Sequence, residues 1–223
     1  MRIEAVFRKG RRLRHIGHLD IQRAFMRAFR RSGLPVSYSN GFNPHILVTF
    51  ASALSVGAIG ERELMEVKLD SPVSPEEFVA RMNHALPEEL QLREAKELEE
   101  RHPALMAMVC AAAYEIHIED GDAAALTGAV PALLAREHVS AERKTKSGVK
   151  EVDIRPLILS LSAKDGETLS ATLVLTEAEA CKPDMLLGAL AAQVGCELPR
   201  VQVTRKGLLG RDENGSIQPL ETL

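Results

Sequence analysis

The chain has 223 residues, of which 45% are hydrophobic and 26% are charged. These proportions exclude a wholly disordered chain, and the length suits one large domain or two domains of about 100 residues each. No apolar run reaches the roughly 20 residues of a membrane-spanning helix, and charged residues near the N-terminus argue against a signal peptide. The three scattered cysteines form neither a disulfide framework nor a metal motif. We therefore expect a cytoplasmic protein with no membrane contact.

The net charge of −3 conceals a strong asymmetry along the chain. Residues 1–60 contain ten lysines and arginines against two acids, a net charge of +8, whereas residues 61–223 contain 18 basic and 29 acidic residues, a net charge of −11. Such a local excess predicts an anionic partner for the first 60 residues. The alternative is a basic face that only water solvates.

The first half of the chain predicts a strand, a helix, two strands, a helix and a strand. Alternation over 2–7 predicts the first strand, and apolar residues at helical spacing over 18–32, closed by Gly33 and Pro35, predict the first helix. Ser74, Pro75 and Glu77 have the spacing of a capped helix start. The remaining elements are predicted as strands over 46–54, 63–69 and 90–97 and a helix over 75–85.

A similar order restarts after residues 99–111. Pro131 interrupts a helical stretch, Gly195 closes another helix, and Ser147-Gly148 indicates an inserted hairpin. The predicted elements are strands over 114–119, 157–162, 169–176 and 198–204, helices over 122–136 and 183–194, and a hairpin over 139–154. The repeated order predicts an α+β fold of two tandem ferredoxin-like (βαββαβ) units, the second with the inserted hairpin. We assign them to 1–98 and 112–211, with a linker over 99–111 and a tail over 212–223.

Arginines lie on one face of the predicted helix 18–32, opposite its apolar face. Together with a basic residue before the helix and basic residues on and after the hairpin, they predict a salt-sensitive binding surface for a polyanion. The residues are Arg14, Arg23, Arg27, Arg30, Arg31, Lys144, Lys146 and Arg155.

Residues 37–45 have the composition of a polar loop. We count His18 and five loop residues among the ligand contacts. The alternatives are that the asparagines cap turns, which we favour for them, and that His18 or Asp20 caps the helix, which we favour for Asp20. The loop candidates are Tyr38, Ser39, Asn40, Asn43 and His45. His15 and His18 lack a partnering cysteine pair, so we predict no metal site.

Cleavage of RNA would need an acid, a base and cationic charge, and His18, His45 and Tyr38 supply the residue types. Nothing in the sequence shows that these side chains converge, so they are weak candidates and we assign no catalytic residue. Phosphate-loop and dinucleotide-binding motifs are absent, and we predict no cofactor.

Several segments carry a resemblance to a known family. The segments 14–20, 30–45, 50–57 and 144–156, above all Tyr38-Ser39-Asn40-Gly41-Phe42-Asn43-Pro44-His45, resemble the radical SAM-linked protein family, a bacterial domain of unknown function. The resemblance implies a cobalamin-binding radical SAM protein as partner and an accessory role, with RNA modification as one setting. The element order is also similar to the tandem ferredoxin-like fold of CRISPR repeat-processing endoribonucleases, which by itself implies no activity.

Three functions follow as hypotheses. The first is a substrate-binding accessory protein that holds RNA or another anionic substrate on the basic N-terminal face for a radical SAM partner. The second is a metal-free endoribonuclease that uses His18 or His45. The third is a protein-interaction domain whose arginine face docks on an acidic surface.

Overall fold

The protein is described by a computed structural model that covers residues 1–145 and 148–223. Its chain forms two compact units, one of Met1–Val109 with Gly210–Leu223 and the other of Cys110–Leu209. Each unit combines sheet and helix, so the protein has a mixed α and β fold. Over the described residues, the helices are too short or too polar to traverse a bilayer.

Unit 1 begins with the predicted order of elements: β1 Arg2–Lys9, α1 His18–Ser32, β2 Val48–Phe50, β3 Ile59–Lys68, α2 Pro75–Ala85, β4 Leu92–Leu98 and α3 Leu105–Met108. Its strands pair in the order β4-β1-β3-β2, and every pair is antiparallel. Residues 99–109 and 210–223, which include most of the predicted linker and the whole predicted tail, belong to this unit.

Unit 2 contains β5 Ala111–Ile118, α4 Ala123–Gly128, α5 Val130–Leu134, β6 Ser140–Thr145, β7 Gly148–Asp153, β8 Ile158–Ala163, β9 Thr168–Val174, α6 Pro183–Val194 and β10 Val201–Arg211. Its sheet follows the order β10-β5-β9-β8, also antiparallel throughout, and β6 and β7 form a separate hairpin. The last two residues of β10 and a short β11, Ile217–Pro219, are grouped with unit 1.

An aromatic cluster fills the core of unit 1 between its sheet and its helices. Five of the six phenylalanines belong to it: Phe7, Phe25, Phe29, Phe50 and Phe78, with neighbouring ring centroids 4.8–6.5 Å apart. Edge-to-face contacts within this range add to the stability that comes from burying the rings. The cluster holds α1 against the sheet and so fixes which face of the helix meets solvent.

Candidate functional site

The arginine face of α1, defined as Arg23, Arg27, Arg30 and Arg31, is exposed as the helical spacing predicts. Ile21, Phe25, Ala28 and Phe29 are buried on the opposite face against the sheet. Burial of that apolar face sets the rotation of the helix, so the arginines cannot turn inward without exposing the core.

Two members of the arginine face have partners within unit 1. Arg23 donates to Asp20 at 2.9 Å, one turn earlier on the helix, and Arg31 donates to the backbone carbonyl of Ala85 at 2.6 Å. Both side chains of the Arg23–Asp20 pair are more than 60% exposed, so the pair contributes little to stability. Neither contact neutralises a buried charge.

Arg27 and Arg30, unlike Arg23, have no acidic partner among the described residues. Across residues 1–145 and 148–223, no carboxylate forms an ion pair with either guanidinium. Positive charges that lie close together on one helix face repel each other, which costs a few tenths of a kcal/mol per pair. The arginine face therefore keeps uncompensated positive charge directed at solvent.

Hydrogen bonds to the backbone hold the residues that precede α1. Gly17 is the N-cap residue and no side chain caps the helix, so the prediction that Asp20 caps it is wrong, and so is the same alternative for His18. The carbonyl oxygen of Arg14 accepts hydrogen bonds from Lys9 Nζ at 3.1 Å and from the amide of Gly57 at 2.7 Å. These contacts fix the position of the Arg14 backbone, and its side chain is half-buried.

His18 is half-buried beside the aromatic core. Its ring meets Phe50 edge-on at 5.4 Å, and its Nε2 lies 3.0 Å from the amide of Gln22. It lines a small cavity together with Lys9 and Glu63, each of which is only 2% exposed. The cavity therefore brings two buried charged side chains and His18 together at the edge of the aromatic core.

The Tyr38–His45 loop is closed by a hydrogen-bonded clasp at its base. Ser39 Oγ lies 2.8 Å from His45 Nδ1 and accepts from the His45 amide at 3.1 Å, while the Ser39 amide donates to the His45 carbonyl at 2.8 Å. Tyr38 pairs with Ile46 just outside it. Ser39 and His45, both predicted ligand contacts, thus shape the loop, and Asn40 and Asn43 lie exposed between them.

His45 also lines a cavity of about 690 Å³ on unit 1, together with Arg2, Glu66 and Lys68. The Arg2 guanidinium there donates to Glu66 at 2.7 Å and to the carbonyl of His102 at 2.6 Å. The cavity of His45 and the cavity of His18 share no lining residue among those identified. The structure therefore does not bring the two histidines together in one cleft.

The hairpin of unit 2 carries the second basic group. Arg143 lies directly opposite Lys150 across β6 and β7, an arrangement of like charges that destabilises a hairpin. Lys144 lies on β6 opposite Val149, whereas the predicted site residue Lys146 lies outside the described residues.

Asp153 closes the base of the hairpin. Its Oδ2 lies 2.7 Å from His138 Nδ1, and its Oδ1 accepts from the amides of Val139 at 2.9 Å and Arg155 at 3.0 Å. The hydrogen bond with His138 and the two amides lower the pKa of Asp153 to about 2. The Arg155 side chain donates to the carbonyls of Leu134 and Ile158, so this predicted ligand residue bonds to backbone.

Sequence reasoning passed over Phe42. It is the phenylalanine outside the aromatic cluster, and its relative exposure is 105%. The signal was available, because an aromatic residue between Gly41 and Asn43 in a loop of turn-forming residues has no apolar face to join. Deep burial of Lys9 and Glu63 was also missed, and no local pattern would have indicated it.

The fold and the site together define a mixed α and β protein of two units that displays an exposed cationic face and an exposed aromatic loop. Residues 2–183 match the family described as "Uncharacterized protein conserved in bacteria (DUF2344)", and the chain belongs to that family.

Two further comparisons give no information on function. The search of curated proteins found no match. Among solved structures, the chain is similar to the crystal structure of an unknown protein from Galdieria sulphuraria, with 12% identity, 92% of this chain and 96% of that chain covered, and a TM-score of 0.26. Similarity at that level leaves the function to be argued from the site.

Proposed function

We propose that the protein is a non-catalytic module that binds RNA on the arginine face of α1. The observation that carries the proposal is the pair Arg27 and Arg30, exposed and without a carboxylate partner in the described part of the chain. Phosphates neutralise such charges and release counterions when they bind, which makes cationic helix faces effective RNA contacts. The hairpin, with Arg143 opposite Lys150, supplies a second cationic surface on unit 2.

We further propose a setting for this binding. The resemblance of the Tyr38–His45 segment to the radical SAM-linked family supports an accessory role, in which the module holds RNA for a cobalamin-binding radical SAM enzyme. Three free cysteines are in keeping with a reducing cytoplasm.

Both units order their strands fourth, first, third, second, which supports two tandem ferredoxin-like units.

The test is RNA binding by filter retention at several salt concentrations. For wild type we expect affinity that falls as salt rises. Arg27→Glu with Arg30→Glu should lower the affinity at least about tenfold and reduce the salt slope by about 1.4, the value for two lost phosphate contacts on a single strand.

The matched control is Arg93→Glu with Arg101→Glu, which makes the same change in charge at two exposed arginines elsewhere on unit 1. We expect it to bind nearly as wild type does. If both double variants lose RNA affinity equally, the loss reflects net charge alone. The assignment of RNA binding to α1 would then be wrong. Absence of binding by wild type at low salt would overturn the proposal itself, leaving a protein partner for the arginine face.

The endoribonuclease hypothesis gains no support from the positions of His18 and His45, which line different cavities. General acid and base groups must both reach the reacting atoms within hydrogen-bond distance. We therefore propose binding, and cleavage of labelled RNA by wild type but not by His45→Ala would contradict a purely binding role.

A further inference from the structure

Phe42 is the most unusual apolar side chain on unit 1. Every other phenylalanine of the chain is at most 5% exposed, whereas Phe42 is fully exposed. Since burial of a phenylalanine side chain stabilises a fold, a ring left entirely in water contributes none of that stability. Its full exposure suggests a binding role for this ring.

The loop around Phe42 is constructed to display it. The clasp between Ser39 and His45 fixes both ends of the loop. Gly41, just before Phe42, has a φ of 119°, a conformation that side chains rarely adopt, and a Cβ there would meet nothing within 4 Å. The Phe42 ring is fully exposed, so both of its faces are open to a ligand.

The neighbours of Phe42 indicate what kind of ligand it meets. Asn40 and Asn43 are exposed beside it, and residues 32–60 contain no Lys, Arg, Asp or Glu. Asparagine amides donate and accept hydrogen bonds in the pattern of base edges, whereas an apolar anchor for a protein pocket is usually surrounded by other contacts that exclude water. An exposed flat ring with amide side chains close to it in sequence suits an unpaired nucleobase.

We propose that Phe42 is a stacking platform for an unpaired base of the RNA. This inference rests on the proposed function and deepens it, because it assigns single-stranded or looped RNA as the substrate class. Phosphates would contact the arginine face, which gives salt-dependent affinity. Stacking on Phe42 adds affinity that depends little on salt.

The chain contains no tryptophan, which permits a direct test. Phe42→Trp introduces a single indole at the proposed platform, and Leu198→Trp introduces one at a 66% exposed position in unit 2 as a control. Titration with a single-stranded oligoribonucleotide should quench the fluorescence of the Phe42→Trp protein strongly. The same oligoribonucleotide as a duplex, or the Leu198→Trp protein, should give little quenching.

Affinity measurements complete the test. Phe42→Ala should weaken single-strand binding about tenfold with an unchanged salt slope, and Phe42→Leu should weaken it comparably because leucine cannot stack. If Phe42→Ala or Phe42→Leu binds as wild type does, or if both tryptophans are quenched equally, the stacking platform is overturned while the arginine face stands. If wild-type protein binds no RNA, the proposed function fails and this inference with it.

Discussion

At the residue scale, Glu4 is a carboxylate that the fold removes from water. It is 2% exposed on the face of β1 that points away from Ile3 and Ala5, and its Oε2 has no hydrogen-bond partner. Burial raises the pKa of Glu4, although Lys96 Nζ, 3.6 Å from its Oε1, opposes the shift. The folded state therefore holds the proton of Glu4 more tightly than the unfolded chain does.

The raised pKa of Glu4 makes the stability of the folded protein depend on pH. Because the folded pKa is raised, the contribution of Glu4 is most favourable below the ordinary glutamate pKa and declines as pH rises towards the folded value. Glu4→Gln should remove that decline and raise the free energy of unfolding at pH 8 by about 1 kcal/mol, since a neutral amide is less costly to bury than a charged carboxylate.

Urea denaturation at pH 4 and pH 8 measures the difference. Glu97→Gln, at an exposed position on the neighbouring β4, is the control and should change little. A Glu4→Gln protein that is less stable than wild type at pH 8 would contradict the prediction and would mean that the contact with Lys96 outweighs the cost of burial.

At the element scale, the ends of helices were predictable and the strand ends were not. Ser74 Oγ accepts from the Glu77 amide at 3.1 Å as the spacing predicts, and Gly33 and Gly195 end their helices at φ values of 65° and 73°. These signals act within a few residues. The strand predicted over 46–54 is only Val48–Phe50. Just before it, the Leu47 amide donates to the Ser37 carbonyl, a contact across the loop that no local pattern encodes.

At the base of the unit 2 hairpin, one side chain bonds to two backbone amides. Asp153 accepts hydrogen bonds from the amides of Val139 and Arg155. Asp153→Ala should accelerate hydrogen exchange at these two amides about tenfold, because each loses its acceptor. Asp153→Asn keeps an oxygen acceptor and should preserve most of the protection, which makes it the matched control in the same exchange experiment.

The lowered pKa of Asp153 also sets the pH range over which this side chain stabilises the base of the hairpin. A folded pKa of about 2, below the ordinary aspartate value, means that this stabilisation is complete above the ordinary value and is lost as pH falls towards 2. Amide chemical shifts of Val139 and Arg155 should report the loss, and the Asp153→Asn protein should lack it. Identical acid titrations in both proteins would show that Asp153 does not hold the hairpin.

At the scale of the whole molecule, some parts of the site can be predicted from the sequence and others cannot. The arginine face follows from 3.6-residue periodicity, so the sequence alone identifies Arg27 and Arg30. Separation of His18 from His45 follows from how the loop and the strands of unit 1 fold around its core, which requires long-range pairing. The same holds for the C-terminal residues, which looked like a tail and instead belong to unit 1.

Residues 210–223 complete unit 1, and this role can be tested. Leu220 is 1% exposed, and the adjoining Glu221 pairs with Arg62 at 2.6 Å and accepts from Lys96 Nζ through its carbonyl at 2.7 Å. Leu220→Ala should lower the free energy of unfolding by about 3 kcal/mol, as expected for a leucine removed from a packed core. Leu198→Ala, at an exposed position of unit 2, is the control and should change stability little.

Hydrogen exchange resolved along the chain locates the effect of Leu220→Ala. Because Leu220 belongs to unit 1, exchange should increase in β1, β3 and β4 more than in β5 and β9. An increase spread evenly over both units would mean that the molecule unfolds as one cooperative body. No increase in β1, β3 and β4 would mean that the C-terminal residues contribute nothing to the stability of unit 1, against their burial and their contacts with Arg62 and Lys96.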